Sequence, residues 1–521
     1  MVFNELKRIK FLSIVFLSLF LLAGCSSDDD HEESYDVSGR IVYSNEAGNQ
    51  VGLEGVNLNF KYTDGIATTN HDGNWSKNGV KDTDVITPAK GNWRFIPGSR
   101  RVSKESSSLD FTARTEGEYK IAVLSDLHYF DPRLGTEGAA FENYLAHDRK
   151  LIAESKAILE SAIQSLKEQK PDVVLIPGDL TKDGERVNHE QLVNYFAELE
   201  KEGIQVYVAP GNHDINNPHA VRYEGDEAIE IETITADEFA SIYQENGYSE
   251  SEYIEKDKKS LSYLVEPISG VWLVAMDTCR YDDNGEDPVT AGRFRASTLE
   301  WVRDKIKEGK SQGKTVIGMM HHGLIEHFEL QSAKGLFEEY VVEDWEAIST
   351  ELADLGMEVV FTGHYHANDI AIKTTDEGNR LYDIETGSLV TYPSPYRMLT
   401  LTDNNLEVET YKVTEVDADT GGLEFQDYAK GYIEEGLLGL TEAMLATDGF
   451  LQNQIEVLAP VVSSSLIAHY EGDENFDSLD DTTQYIISNM KLSEDPMGVA
   501  LWSIWHDESA DNNTEIYFEF Q

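Results

Sequence analysis

The sequence predicts a mixed α/β chain that is all-β at its front and mostly helical at its end. Three observations carry this. Between Tyr35 and about Thr115, short alternating runs such as Val37 to Tyr43 are broken by Asp64-Gly65, Asp72-Gly73 and Pro97-Gly98, without a helical period. From Tyr119 to about Thr414, short apolar runs alternate with amphipathic segments of period near 3.6. Beyond Val413, apolar residues return at helical spacing around Leu437 to Leu466, within a stretch holding 23 acidic and 2 basic residues. The composition allows real cores, with 40 % apolar residues in a chain of 521. With 42 Lys and Arg against 96 Asp and Glu, the net charge of −54 excludes a nucleic-acid scaffold and leaves an anionic substrate in need of a local positive element.

The elements follow in order. Lys7, Arg8 and Lys10 precede an apolar run from Phe11 to Ala23, shorter than the ~20 residues of a spanning helix, so residues 1–24 read as an export signal. The run ends Leu22-Ala23-Gly24-Cys25, which resembles a bacterial lipobox; the resemblance implies lipidation of Cys25 and attachment to a bacterial membrane, outer membrane or cell surface. Residues 25–34, with Asp28, Asp29, Asp30, Glu32 and Glu33, form a self-repelling tether similar to the acidic export tracts of surface lipoproteins. Residues 35–115 form a small β-sandwich, similar through "VSGRIV", "GVNLNF", "TTNHDGNWS" and "WRFIPGS" to immunoglobulin-like or carboxypeptidase-regulatory-like modules. Its basic residues Arg100, Arg101 and Lys104 read as a solvated edge, and its role as spacing or positioning.

Residues 116–414 are the α/β part. Helices are expected from about Leu145 to Gln169, stopped by Pro171, and from about Asn188 to Glu202, closed by Gly203. Another opens at the capping-box pair Ser297 and Glu300, and a fourth carries Trp345, Ile348, Leu352 and Leu355 before Gly356. An acidic insertion between Asn216 and Ser260 holds one helix capped by Thr235 and Glu238. Residues 415–521 form an acidic, mostly helical region whose residues name no chemistry. Cys279 reads as a small buried apolar residue.

Five apolar runs in the α/β part end in polar clusters. They are "KIAVLSDLH" on Asp126 and His128, "DVVLIPGD" on Asp179, "QVYVAPGNHD" on Asn212, His213 and Asp214, "TVIGMMHH" on His321 and His322, and "MEVVFTGHYH" on His364 and His366. Strand carboxyl ends converge on one sheet edge in α/β proteins, so these clusters meet. Carboxylate, imidazole and carboxamide without thiolate suit hard or borderline divalent metals.

In this order the blocks resemble the calcineurin-like metallophosphoesterase family over roughly residues 119 to 400. The resemblance implies an α/β/β/α fold, a β-sandwich flanked by helices. It also implies two divalent metal ions (Mn, Fe or Zn): one held by Asp126, His128, Asp179 and His366, the other by Asp179, Asn212, His321 and His364, with Asp179 bridging. The family's usual spacing selects His321 over His322, although Gly323 stands where a proline is usual. By resemblance, His213 touches the scissile phosphate and protonates the leaving oxygen, with Asp214 orienting its ring. The implied activity is hydrolysis of phosphate esters by a metal-bridging hydroxide. "GDLTKDGE" and "GNHDINNP" are most similar to the cyclic-nucleotide phosphodiesterase-like branch, which favours a phosphodiester. Lys182 occupies the position of the purple acid phosphatases' tyrosine ligand and argues against that branch. Tyr392, Tyr396 and Arg397 read as packing residues with a substrate contact as the alternative, and His147, His189, His219, His327, His469 and His506 as structural. Export points to extracellular nucleotides, phospholipid headgroups or phosphorylated glycans. The alternative function is a surface binding or adhesion lipoprotein with a vestigial metal centre, which a missing ligand would mark. The oligomeric state is unknown from the residues.

Overall fold

The computed structural model describes residues 33–521 apart from 46, 105, 107, 116, 448, 473, 493–494 and 507–513, so the segment read as an export signal, Cys25 and most of the expected tether lie outside the described residues. The front segment forms two sheets, one built around Ser34–Ser44 and the other around Asn57–Phe60 and Val85–Ala89. Period-two alternation turns Val37, Ile41, Leu58, Trp75, Ile86 and Phe111 into their shared core. The module is seated on the next domain: Gly98 N donates to Glu266 O at 2.7 Å, and Arg94 pairs with Asp403. Arg101 is not part of a solvated edge as expected. Its guanidinium lies 5.0 Å from the Tyr253 ring centroid and donates to Glu250 O, so it belongs to this seam.

The central domain packs two sheets face to face. The first has six strands in the order Gln205–Val208, Val173–Ile176, Tyr119–Val123, Pro395–Leu401, Asn405–Lys412 and Glu515–Glu519. The second runs Glu255–Lys256, Tyr263–Ile268, Val271–Met276, Thr315–Met320, Val359–Thr362, Arg380–Glu385 and Ile370–Thr374. The central strands are parallel within each sheet and buried on both faces, which is why they read as continuous Val/Ile/Leu runs. Helices Ser155–Gln169 and Arg186–Lys201 cover the first sheet through Ile158, Leu166, Leu192 and Phe196. Helices Ala296–Ser311 and Trp345–Asp354 cover the second through Val302, Ile306, Ile348 and Leu352. The outcome is the expected α/β/β/α arrangement.

Two local expectations are corrected and a third is extended. The helix expected from Leu145 is two helices, Ala139–Leu145 and Ser155–Gln169, separated by a loop. Ser297 does not cap a helix; it lies one residue inside Ala296–Ser311, whose Arg295 cap makes no side-chain hydrogen bond. The insertion carries the Thr235/Glu238 capping box as expected, and also a hairpin of Val221–Glu224 and Glu227–Glu230. The C-terminal region contains four α-helices among the described residues, and its last strand, Glu515–Glu519, returns to pair with Asn405–Lys412. That pairing places the chain end in the central domain's sheet. No helix among the described residues is long and apolar enough to cross a membrane. Cys279 is buried, with Sγ 3.2 Å from Pro210 O.

Candidate two-metal centre

Each candidate ligand sits just beyond a strand's carboxyl end. Asp126 and His128 follow Tyr119–Val123, Asp179 follows Val173–Ile176, and Asn212 follows Gln205–Val208 in the first sheet. His321 follows Thr315–Met320, and His364 and His366 follow Val359–Thr362 in the second. The loops turn sharply enough that Asp126, His128, Asp179, His364 and His366 all have left-handed backbone, with φ between 36° and 77°. Such conformations are costly for residues with a Cβ and persist where the surroundings enforce them. Gly178 shares this geometry (φ 105°), but Gly363 does not. Gly363 answers to close approach: a Cβ there would lie 2.0 Å from Ser125 Oγ and 2.4 Å from Asp126 Oδ2.

The ligands converge as three overlapping groups: Asp126, His128 and His366; His128, Asp179 and His213; and Asp179, His321 and His364. All seven candidate metal ligands are at most 5 % exposed. Asp179 Oδ2 is central, 3.7 Å from His128 Nε2 and 3.3 Å from His321 Nε2. His321 Nε2 also lies 3.0 Å from Asn212 Oδ1. His128 Nε2 and His366 Nε2 face each other at 3.2 Å, an approach that needs a cation or a proton between them. Asp126 Oδ1 has no hydrogen-bond partner and lies 3.4 Å from His366 Nε2, while Oδ2 accepts from His364 N and joins the two sheets. A buried carboxylate oxygen left without a donor among ring nitrogens is the arrangement a divalent cation completes. The donor set fits two such ions, with Asp179 common to both groups.

Electrostatics agrees with the geometry. Burial alone raises the Asp179 carboxyl, but His321, His213 and His128 hold it well below the ordinary range. Burial lowers His321, yet Asp179 outweighs it and pushes the imidazole up to about 9. Cation binding would displace that proton. His322 is different: Nε2 donates to Thr290 O at 2.9 Å, Nδ1 accepts from Thr278 Oγ1 at 2.8 Å, and burial pushes it down to about 3. It is a neutral structural residue turned away from the cluster, and His321 is the histidine that enters it.

His213 is the most open member, with its side chain 24 % exposed and Nε2 4.0 Å from Asp179 Oδ2. Its ring is not oriented by Asp214. Nδ1 lies 2.7 Å from Lys182 O and 3.0 Å from Asp183 Oδ1. Asp214 instead accepts from Gly211 N (2.8 Å), Thr181 N (3.0 Å), Leu180 N (3.2 Å) and Thr181 Oγ1 (3.1 Å). With its oxygens spent on two backbone turns, Asp214 clamps the Asp179 loop to the Asn212 loop. Asp183 is in turn held by Lys182, whose ammonium pairs with Asp183 and Glu185 and lies 4.3 Å from the Tyr144 ring centroid. Removing one partner of a buried ion pair costs ~3–5 kcal/mol, so Lys182 locks this support in place.

Two cations beside the centre went unread in the sequence. Arg149 and Lys150 lie in the loop that interrupts the expected first helix. Burial is the main cause that lowers His128 and His366; the charge of Lys150 adds to it at both, and that of Arg149 at His366. Arg149 faces Tyr340 and Tyr470, and the Tyr340 ring centroid is 4.7 Å from that of His364. A basic pair in so acidic a chain was the available signal, and the helical pattern around it hid the break. Tyr392, Tyr396 and Arg397 pack: Tyr392 Oη bonds Glu471, Tyr396 Oη accepts from Gln169, and buried Arg397 donates to Glu385 O at 2.6 Å.

Residues 119–368 match the family described as calcineurin-like phosphoesterase. A search of curated proteins gives no significant match. Among solved structures, a dimetal phosphatase from Danio rerio aligns at 15 % identity and TM-score 0.40, covering 57 % of this chain and 97 % of that one. A purple acid phosphatase from yellow lupin (Lupinus luteus) seeds aligns at 12 % and 0.36, covering 70 % and 68 %. A 5'-nucleotidase precursor from Thermus thermophilus aligns at 11 % and 0.31, covering 63 % and 59 %. The segment 119–368, whose strand-end motifs converge on one ligand cluster, is therefore a calcineurin-like phosphoesterase domain.

Proposed function

We propose that this chain is an exported, metal-dependent hydrolase of phosphate esters, with a phosphodiester favoured. The observation that carries the reading is the convergence of Asp126, His128, Asp179, Asn212, His321, His364 and His366 on one cluster with Asp179 at its centre. Mn, Fe or Zn suits these donors. Two such ions, when bound, draw charge from phosphate oxygens and acidify water. The chain's own groups do the rest. His213, on the open side, donates a proton from Nε2 to the departing oxygen, because Nδ1 is engaged by Lys182 O and Asp183. Arg149 and Lys150 supply the local positive wall that an anionic substrate needs in a protein of charge −54. The likeness of "GDLTKDGE" and "GNHDINNP" to phosphodiesterases supports a diester, and export supports extracellular nucleotides, headgroups or phosphorylated glycans as substrate classes. Turnover of an aryl phosphodiester and an aryl phosphomonoester by the metal-loaded and chelated protein tests this. Chelation should abolish both reactions, and the diester should have the higher kcat/KM; a protein inert to both esters when loaded would refute the reading.

Location is proposed on the same footing. Cys25 carries lipid and holds the folded part at a bacterial membrane through the acidic tether. Cys25→Ser should move the protein from the membrane fraction to the soluble fraction. Retention after signal cleavage would mean another anchor.

A further inference from the structure

A second cluster of ligand-type side chains lies where the helical C-terminal region meets the central domain. Asp369 stands three residues beyond His366, before the strand Ile370–Thr374. His469 is in the last turn of helix Gln452–Glu471, and Glu474 follows that helix's Gly472 cap. The helix end is seated tightly: Asn368 Nδ2 donates to Tyr470 O at 2.9 Å, and a Cβ on Gly472 would lie 2.4 Å from Asn368 O.

Asp369, His469 and Glu474 each offer one ligand atom, and these atoms lie within 4.8 Å of one another. The residues are 1 %, 1 % and 7 % exposed. Part of the cluster is explained by pairing, since His327 Nδ1 meets Asp369 Oδ2 at 2.6 Å and His469 Nδ1 meets Glu474 Oε1 at 2.7 Å. Pairing does not explain the rest. Asp369 Oδ1 and His469 Nε2 are buried without a hydrogen-bond partner. Asp369 Oδ1 is a free buried oxygen of the kind zinc takes, and an ion that displaced the proton between His469 Nδ1 and Glu474 Oε1 would find its other two ligands there. His327 holds the Asp369 carboxylate in the way that hydrogen-bonded neighbours commonly hold metal ligands. A cleft of about 580 Å³, lined by His327, Asp369, Glu326 and Trp502, reaches the Asp369 side of the cluster.

We propose that Asp369, His469 and Glu474 bind a divalent cation of the zinc class, separate from the two-metal centre, and that this ion fastens the C-terminal helices to the loop bearing His364 and His366. The site does not depend on the hydrolytic reading. To test it, the full chain with Asp126→Asn and Asp179→Asn, which disables the first centre, is stripped with chelator, incubated with Zn²⁺ and desalted. Its zinc is then counted by mass spectrometry and its melting temperature measured. The expected result is close to one zinc per chain, a melting temperature raised by zinc, and loss of both when His469→Gln is added. If that variant does not fold, Glu474→Gln serves in its place. Zinc near zero in the parent protein would overturn the proposal, with the cluster then held by a proton or water. A zinc that survives His469→Gln would overturn it too, because the ion would reside elsewhere.

Discussion

The two-metal centre and the wall beside it are built in opposite ways. In the centre, every ligand lies within a few residues of a strand end, so a short motif carries both the side chain and the turn that aims it. In the wall, Arg149 comes from a loop between helices, Tyr340 from the segment before Trp345–Asp354, and Tyr470 from the C-terminal helix Gln452–Glu471. None of these has a local signature. The difference teaches that the ligand cluster is a property of the sheet edges, whereas the wall beside it is assembled by long-range packing.

The comparison breaks most visibly at Asp179. Asp179→Asn should reduce bound metal below two ions per chain and lower kcat by more than ~10²-fold, the upper end of the losses seen for residues that merely support ligands. Elemental analysis beside steady-state kinetics checks this, and full activity with one tight ion would refute the bridging role.

His213 sharpens the boundary between cluster and wall. His213→Ala should keep near wild-type metal and lose roughly 10²- to 10⁴-fold in kcat, the range of a general acid. The loss should shrink for esters whose leaving group has a low pKa, since a good leaving group needs no proton. Asp183→Asn should reproduce part of this loss, because Asp183 holds the His213 ring, whereas depleted metal in His213→Ala would place His213 among the ligands.

The smallest expected effect lies in the wall. Lys150→Met should leave metal content unchanged and cost about 10-fold in kcat/KM, mostly through KM, as expected for a lost charge-assisted contact. Raising the salt concentration should narrow the gap between variant and wild type. A change in kcat alone would mean that Lys150 acts on the transition state.

Period and motif determined much of this protein. Alternation marked the front sandwich, continuous apolar runs marked strands buried on both faces, and the strand-end blocks marked Asp126, His128, Asp179, Asn212, His321, His364 and His366, because the residues that aim each ligand are its chain neighbours. Tertiary structure decided what depends on partners distant in sequence. His321 and His322 are adjacent and chemically alike; only the packing of the turn after Thr315–Met320 sends one to Asp179 and the other to Thr278 and Thr290. Asp214 is next to His213, yet it faces the backbone of residues 180, 181 and 211, while Asp183, thirty residues earlier in the chain, reaches the ring. The break at residues 146–154 that brings Arg149 and Lys150 to the centre, and the return of Glu515–Glu519 to the central sheet, had no periodic signal either. The physical reason is the same throughout: backbone geometry repeats over two to four residues and can be read locally, whereas the direction of a side chain in a loop is set by whichever distant groups satisfy its hydrogen bonds and charge.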